Sequence, residues 1–296
     1  MQKVVEKAAT LIEALPYIQQ FKKKLVVVKL GGSVMDNKSY VKSILRDVVF
    51  MHTVGMNPVI VHGGGGIISK MMKDKGLQPR FVQGLRITDK ETISVVESAL
   101  VGIINKELVE IIDEFNGAAE GLSGKDFGIV SVKKSEPVMQ QDAKGVMEAV
   151  DLGYVGEIDH INTKPVFEIL ERNKIPVIAS LGLGPDGMTY NVNADTVAGE
   201  MAVAVKAEKL VFLTDVHGVM KNPEDKDSLI STLQIDLVEK LMQEGIIAGG
   251  MIPKLTACVR AVKNSVKKTH IIDGRMPHSL LLEIFTDEGV GTQIVP

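Results

Sequence analysis

Residues 25–33 read LVVVKLGGS and residues 58–66 read PVIVHGGGG. Each is a short, unbroken apolar run that ends in glycines. Val, Leu and Ile without polar alternation describe a strand covered on both faces, and such strands belong to parallel sheets held between two helical layers. Consecutive glycines lose chain entropy on folding and pack nothing. Four in a row at the mouth of a buried strand make physical sense where bare backbone must approach a ligand. Strand-to-helix turns of this kind bring N–H groups to an anion at a helix N-terminus.

The rest of the chain repeats the alternation. The spacing predicts a helix over 38–54, a strand over 58–62, and a helix carrying Ile67, Ile68, Met71 and Met72 that stops at Gly76. TDKE at 88–91 has the form of a capping box and opens a long helix to about Phe115. Helix 165–173, strand 175–181, a helix after Asp195, strand 209–216, helix 252–265, strand 270–273 and a closing helix and strand follow. Residues 128–161 differ, being short, β-rich and turn-rich, and read as a hairpin excursion; PEDKD at 223–227 reads as a polar loop. The pattern defines an α/β fold, a three-layer αβα sandwich with a mostly parallel central sheet. No linker or shift in composition interrupts it. The expected organisation is an N-terminal kinked helix (1–24), an N-lobe (25–182) and a C-lobe (183–296), the lobes sharing one continuous sheet. In the first segment Val4, Val5, Ala8, Leu11, Ile12 and Leu15 share a helical face, and Pro16 should kink it.

Several functional classes are excluded by composition. With 34 Lys+Arg against 37 Asp+Glu the net charge is −3, so nucleic-acid binding through bulk charge is not expected and an anionic ligand must be held by local groups. Cys258 is the single cysteine, which rules out an intrachain disulfide and fits a reducing compartment. No apolar run nears the roughly 20 residues of a membrane span, and the first 24 residues lack a signal-peptide core, so a cytoplasmic enzyme is expected.

The glycine turns do not match the familiar nucleotide motifs. Ile68 stands where a G-x-G-x-x-G pattern from Gly63 needs glycine. GLSGKD (121–126) has a Gly-Lys pair, but Ala119 and Asp126 occupy positions that a P-loop gives to glycine and Ser/Thr. Instead one device recurs three times, as KLGGS (29–33), HGGGG (62–66) and GGMIPK (249–254), two of them with a lysine. Two of the three end predicted parallel strands, the edge at which open α/β sheets bind ligands.

KLGGS, VHGGG, GLRITD (84–89), GKD (124–126), NVNAD (191–195), LTDVHGV (213–219) and GGMIPK, in that order, resemble the amino acid kinase family. Within it the wording is most similar to the branch acting on N-acetyl-L-glutamate in arginine biosynthesis. Carbamate kinase, aspartate kinase and a non-catalytic arginine-sensing module are the alternatives. The resemblance implies phosphoryl transfer from ATP, with Mg²⁺ carried on its phosphates and water, to the γ-carboxylate of N-acetyl-L-glutamate. No dedicated metal cluster is legible. It assigns Lys29 to the transferred phosphoryl group, Lys254 to the ATP phosphates, and Asp195 to orienting both. Backbone at Gly31, Gly32 and Gly63 would bind phosphate, and Gly64 and Gly65 would face the acceptor. Arg86 would grip the acceptor's α-carboxylate and Asn191 its other end, while Thr214, Asp215, Val219 and Met251 fall in the nucleotide segment. Gly66 departs from the family, which usually has proline there. His62 and Cys258 read as core residues. The N-terminal helix and EIFTDEGVGT (283–292) resemble those of an arginine-inhibited, hexameric branch built as a trimer of dimers, with Glu283, Gly289 and Gly291 at the L-arginine site. A nitrogen-signalling protein is a further possible partner.

Overall fold

The structure, a computed structural model, describes residues 9, 12–141, 145–222, 225, 228–247, 249–286 and 289–296. The apolar face expected over residues 4–11 and most of the polar loop at 223–227 lie outside the described residues. The strands, in chain order, are β1 (Leu25–Leu30), β2 (Asn57–His62), β3 (Phe81–Val82), β4 (Leu85–Arg86), β5 (Ala119–Ser123), β6 (Val130–Lys134), β7 (Val138–Gln141), β8 (Met147–Val150), β9 (Gly156–Ile161), β10 (Ile175–Ala179), β11 (Leu181–Leu183), β12 (Thr189–Asn191), β13 (Lys209–Thr214), β14 (Thr232–Gln234), β15 (Lys268–Asp273) and β16 (Thr292–Val295). The helices are α1 (Leu15–Phe21), α2 (Lys38–Thr53), α3 (Gly65–Asp74), α4 (Lys90–Glu97), α5 (Lys106–Glu114), α6 (Lys164–Glu171), α7 (Ala194–Ala204), α8 (Ile235–Gln243), α9 (Met251–Lys263) and α10 (Ser279–Phe285).

β1 shows why its sequence is apolar throughout. Val26, Val28 and Leu30 enter one hydrophobic cluster and Val27 the other, on opposite faces of the pleat. β2 divides likewise, Ile60 to the first cluster and Val59 and Val61 to the second. Helices α1 to α5 and α10 supply the first cluster; α6 to α9 supply the second. Between them lies an eight-stranded sheet in the order β14-β16-β15-β13-β1-β2-β10-β5. Its pairings are parallel except β15 with β16. The three-layer α/β expectation is met.

Two local expectations change. The helix foreseen from 88 to 115 is interrupted by a π-helical stretch, Ser98–Asn105, between α4 and α5. Its N-cap is Asp89, whose carboxylate accepts from Thr92 N–H at 2.8 Å, in place of Thr88. The excursion at 128–161 is more than a hairpin: β6 and β9 join β11 and β12 in a second sheet of order β12-β11-β6-β9, while β7 and β8 pair apart. The break expected at Pro16 is present: helix at Ile12 and Glu13 gives way to a turn at Ala14, and Pro16 lies in the first turn of α1, where its missing N–H costs nothing.

Candidate active site

Lys29 is the penultimate residue of β1 and shares the face of Val27, so its side chain runs beneath the second helical layer to the carboxyl edge of the sheet. There it meets the first turn of α7. Asn193 caps that helix, its Oδ1 accepting from Asp195 N–H at 2.9 Å and Thr196 N–H at 3.1 Å, and so fixes Asp195 one residue into the helix. Lys29 Nζ lies 2.7 Å from Asp195 Oδ1, a buried ion pair. Lys254 Nζ donates to Asp195 Oδ2 at 2.9 Å. Lys254 reaches because α9 packs tightly on α7: a Cβ added at Gly199 would lie 3.1 Å from that of Ala257.

Lys29 and Asp195 are each only 5% exposed, which makes the charge balance decisive. Burial would raise the Asp195 carboxyl, but the two ammonium groups outweigh it and hold the carboxyl below its ordinary range. Burial lowers Lys29, Lys254 adds to the fall, and Asp195 opposes it. Two cations share one carboxylate, so the cluster carries an excess positive charge in a low-dielectric setting. An anion beside it relieves that imbalance.

The glycines around this cluster serve different needs. A Cβ on Gly31 would sit 2.0 Å from Lys29 Nζ, so only glycine lets the ammonium lie there. Gly32 adopts φ +65°, which favours glycine. Cβ atoms at Gly63 and Gly64 would meet Ala194 at 3.2 Å and Ile104 at 2.2 Å, whereas one at Gly65 would meet nothing within 4 Å. Absence of a side chain at 64 therefore serves packing; at 65 it leaves open space. No side chain caps the N-terminus of α3, so its first amides remain available to an anion.

These groups line a cavity of about 190 Å³ with Arg86, Asn191 and Asp195. Arg86 is buried and rigidly held: Nη2 donates to Gly65 O at 3.0 Å and Ser69 Oγ at 2.8 Å, Nη1 lies 3.1 Å from Met72 Sδ, and the guanidinium stacks 4.6 Å from the Phe81 ring centroid. Ser69, Met72 and Phe81 had no signal of their own in the sequence beyond helical or strand spacing. His62, expected as packing, is fully buried and also bonded. Its Nδ1 approaches Gly63 O at 3.2 Å and its Nε2 approaches Asn105 Nδ2 at 3.0 Å, which places the proton on Nδ1. Burial drops its pKa to about 4, so the ring is neutral.

The nucleotide-segment residues lie outside that cavity. Thr214 ends β13, its hydroxyl accepting from Val216 N–H at 3.0 Å; Asp215 accepts from Ser33 Oγ at 2.7 Å; Val219 N–H donates to Thr292 Oγ1 at 2.8 Å; and Met251 opens α9. Asp215 thus ties the segment to the first glycine turn.

Glu283, Gly289 and Gly291 converge elsewhere, on a cavity of about 450 Å³ that Tyr17, Phe21 and Lys209 also line. His270 Nδ1 is 2.6 Å from Glu283 Oε1, and Val290 N–H donates to Oε2 at 2.7 Å. Burial works to raise the Glu283 carboxyl, but His270 and the Val290 amide hold it below its ordinary range. Gly289 has φ +58°, with the Glu283 carboxylate 3.2 Å from where a Cβ would be.

An α/β sheet with glycine turns and a lysine-bracketed carboxylate at its carboxyl edge defines a class that handles phosphoryl groups. The chain belongs to the amino acid kinase family, whose model matches residues 24–273. Within the family it groups with the acetylglutamate kinases. It is 52% identical to the acetylglutamate kinase of Moorella thermoacetica over 99% of this chain and 98% of that one. It is 53% identical to that of Caldanaerobacter subterraneus over 97% of this chain and 93% of that one. In fold it is similar to N-acetylglutamate synthase from Neisseria gonorrhoeae, complexed with coenzyme A and N-acetyl-glutamate (TM-score 0.83, 24% identity, covering 98% of this chain and 63% of that one).

Proposed function

We propose that the chain transfers the terminal phosphoryl group of ATP to the γ-carboxylate of N-acetyl-L-glutamate, giving an acyl phosphate for arginine biosynthesis. The observation that carries this reading is Asp195 held between Lys29 and Lys254 beside bare-backbone turns. A glutamate-type carboxylate has a pKa of about 4.3 and is already ionised at neutral pH, so no general base is required. The barrier is repulsion between two anions, and the remedy is positioning with charge neutralisation. Lys29 stabilises the phosphoryl group in flight, Lys254 the nucleotide phosphates, and Asp195 keeps both ammonium groups aimed. The free α3 amides and the Gly32 backbone receive the phosphoryl and acceptor oxygens. Arg86 and Asn191 hold the acceptor. Thr214, Asp215, Val219 and Met251 take the nucleotide, in a lobe (183–296) set against the acceptor lobe (25–182). Mg²⁺ enters with ATP and offsets phosphate charge.

A second reading concerns the cavity around Glu283. A buried carboxylate faced by close-approach glycines suits a guanidinium, and α1 borders it. This supports inhibition by L-arginine in a hexamer whose N-terminal helices join dimers. No helix among the described residues is long and apolar enough to cross a membrane. The test is a coupled ATP assay across N-acetyl-L-glutamate, glutamate, aspartate and carbamate. Turnover confined to N-acetyl-L-glutamate is expected; preference for another acceptor, or no turnover, defeats the reading.

A further inference from the structure

Arg86 and Asn191 come from distant parts of the chain, yet one side chain bonds to both. Thr88 is fully buried. Its Oγ1 donates to Arg86 O at 2.8 Å and accepts from Asn191 Nδ2 at 3.3 Å. The backbone closes the same circuit. Thr88 N–H donates to Leu152 O at 2.8 Å, Tyr154 N–H donates to Thr88 O at 2.6 Å, and Asn191 N–H donates to Tyr154 O at 2.9 Å. Gly153 permits the approach: it has φ +74°, and a Cβ there would lie 2.3 Å from Thr88 O.

Packing alone does not call for a hydroxyl at position 88, since valine has nearly the same shape. Valine lacks the paired donor and acceptor. Without them the Arg86 carbonyl loses a partner, and the Asn191 carboxamide is free to turn about its terminal torsion, which is intrinsically broad. With them, one Nδ2 hydrogen is engaged and the carboxamide plane is fixed, so the second N–H and the oxygen of Asn191 face a ligand in a set orientation.

We propose that Thr88 is a positioning residue for the acceptor, locking Arg86 and Asn191 into one clamp of preset spacing. This rests on the acceptor roles given to those two residues above. A preset clamp binds the acceptor without paying to order its own side chains. Since the contact concerns only acceptor binding, its loss should appear in the acceptor KM and not in the chemical step.

The test is steady-state kinetics of the full chain, varying N-acetyl-L-glutamate and ATP separately, with thermal melting to verify folding. Thr88→Val should raise the acceptor KM about tenfold, the order expected for a lost buried hydrogen bond, with kcat and the ATP KM within about twofold. Thr88→Ser, which keeps the hydroxyl, should restore the acceptor KM. If Thr88→Val does not fold, Thr88→Ala removes the same hydroxyl without a methyl facing Asn191 and should give the same result. An unchanged acceptor KM, or equal losses in both KM values and kcat, overturns the proposal. A wild type that does not turn over N-acetyl-L-glutamate overturns the functional reading and this one with it. A wild type that does, with acceptor KM raised by Arg86→Ala but not by Thr88→Val, overturns this inference alone.

Discussion

Asp195 has two cationic partners, and that shapes what each substitution does. Removing Lys29 leaves Asp195 paired with Lys254, and removing Lys254 leaves it paired with Lys29. Neither change strands a buried carboxylate, so both variants should fold. Lys29→Ala and Lys254→Ala should each lower kcat on the order of 10²–10³, as expected when one preorganised charge contact to a transition state is lost. Wild-type kcat in either variant would remove that lysine from the mechanism. His62 gives a second residue-scale prediction. Its folded pKa is about 4, against 6.5 when unexposed to burial. Between those values the unfolded chain binds a proton that the folded chain does not, so stability is intact above about pH 6.5 and falls until about pH 4. The loss is on the order of 3 kcal/mol. His62→Gln should flatten that part of the stability curve in urea melts at stepped pH; an unchanged slope would show that acid sensitivity arises elsewhere.

At the scale of elements, strands were the most legible feature. β1, β2, β10 and β13 each run apolar because both faces are covered, and a local window records that directly. Lys29 and Lys254 stood out beside their glycine turns, whereas Asp195 was placed between them only by the resemblance to the amino acid kinase family, and the structure brings the three side chains together. What stayed hidden depends on partners far along the chain. Nothing in SALVGIIN signals a π-helix: Asn105 at its end is held by His62 and by the Val177 carbonyl at 2.9 Å, contacts 43 and 72 residues away. β11 was hidden in the same way, since Leu183 pairs with Ser131 of β6, far back in the chain, whereas β12 pairs with β11. Position 66 permits a test of the glycine helix itself. Gly66 lies in the first turn of α3, and an added Cβ would meet the Asp36 carboxylate at 2.4 Å. Asp36 is exposed and can swing aside. The helical preference of alanine over glycine, roughly 0.5–1 kcal/mol, should then dominate. Gly66→Ala should raise Tm by about 1–3 °C for a chain of this size with kcat retained. A lower Tm would mean that Asp36 is fixed in place.

For the whole molecule, the cavity around Glu283 links the chain's two ends. Tyr17, Gln20 and Phe21 of α1 border it, and Lys209 Nζ lies 4.9 Å from the Phe21 ring centroid. Phe21 belongs to the core, and Lys23 and Lys24 bond through their backbones to Gly55 and Asn57, so a useful truncation stops before Phe21. Deleting residues 1–20 should leave a folded, active dimer that millimolar arginine barely inhibits, with the intact chain a hexamer by light scattering. A hexameric truncation product, or an intact enzyme indifferent to arginine, would end the proposed role of this helix. The central sheet has a mechanical consequence as well. β1 and β13 pair in parallel over five registered positions, Val26 with Lys209 through Leu30 with Leu213. Substrate-driven movement of one half against the other cannot pivot on a loose joint there without breaking that ladder. Any such movement would have to be absorbed as twist, with the sheet acting as a torsion bar. Lys29 pairs with Phe212 at that seam, so under such a twist it would lie near the axis while groups farther out would sweep through larger arcs. The lysine proposed to meet the phosphoryl group in flight would then be the fixed point against which the rest of the machinery is brought to bear.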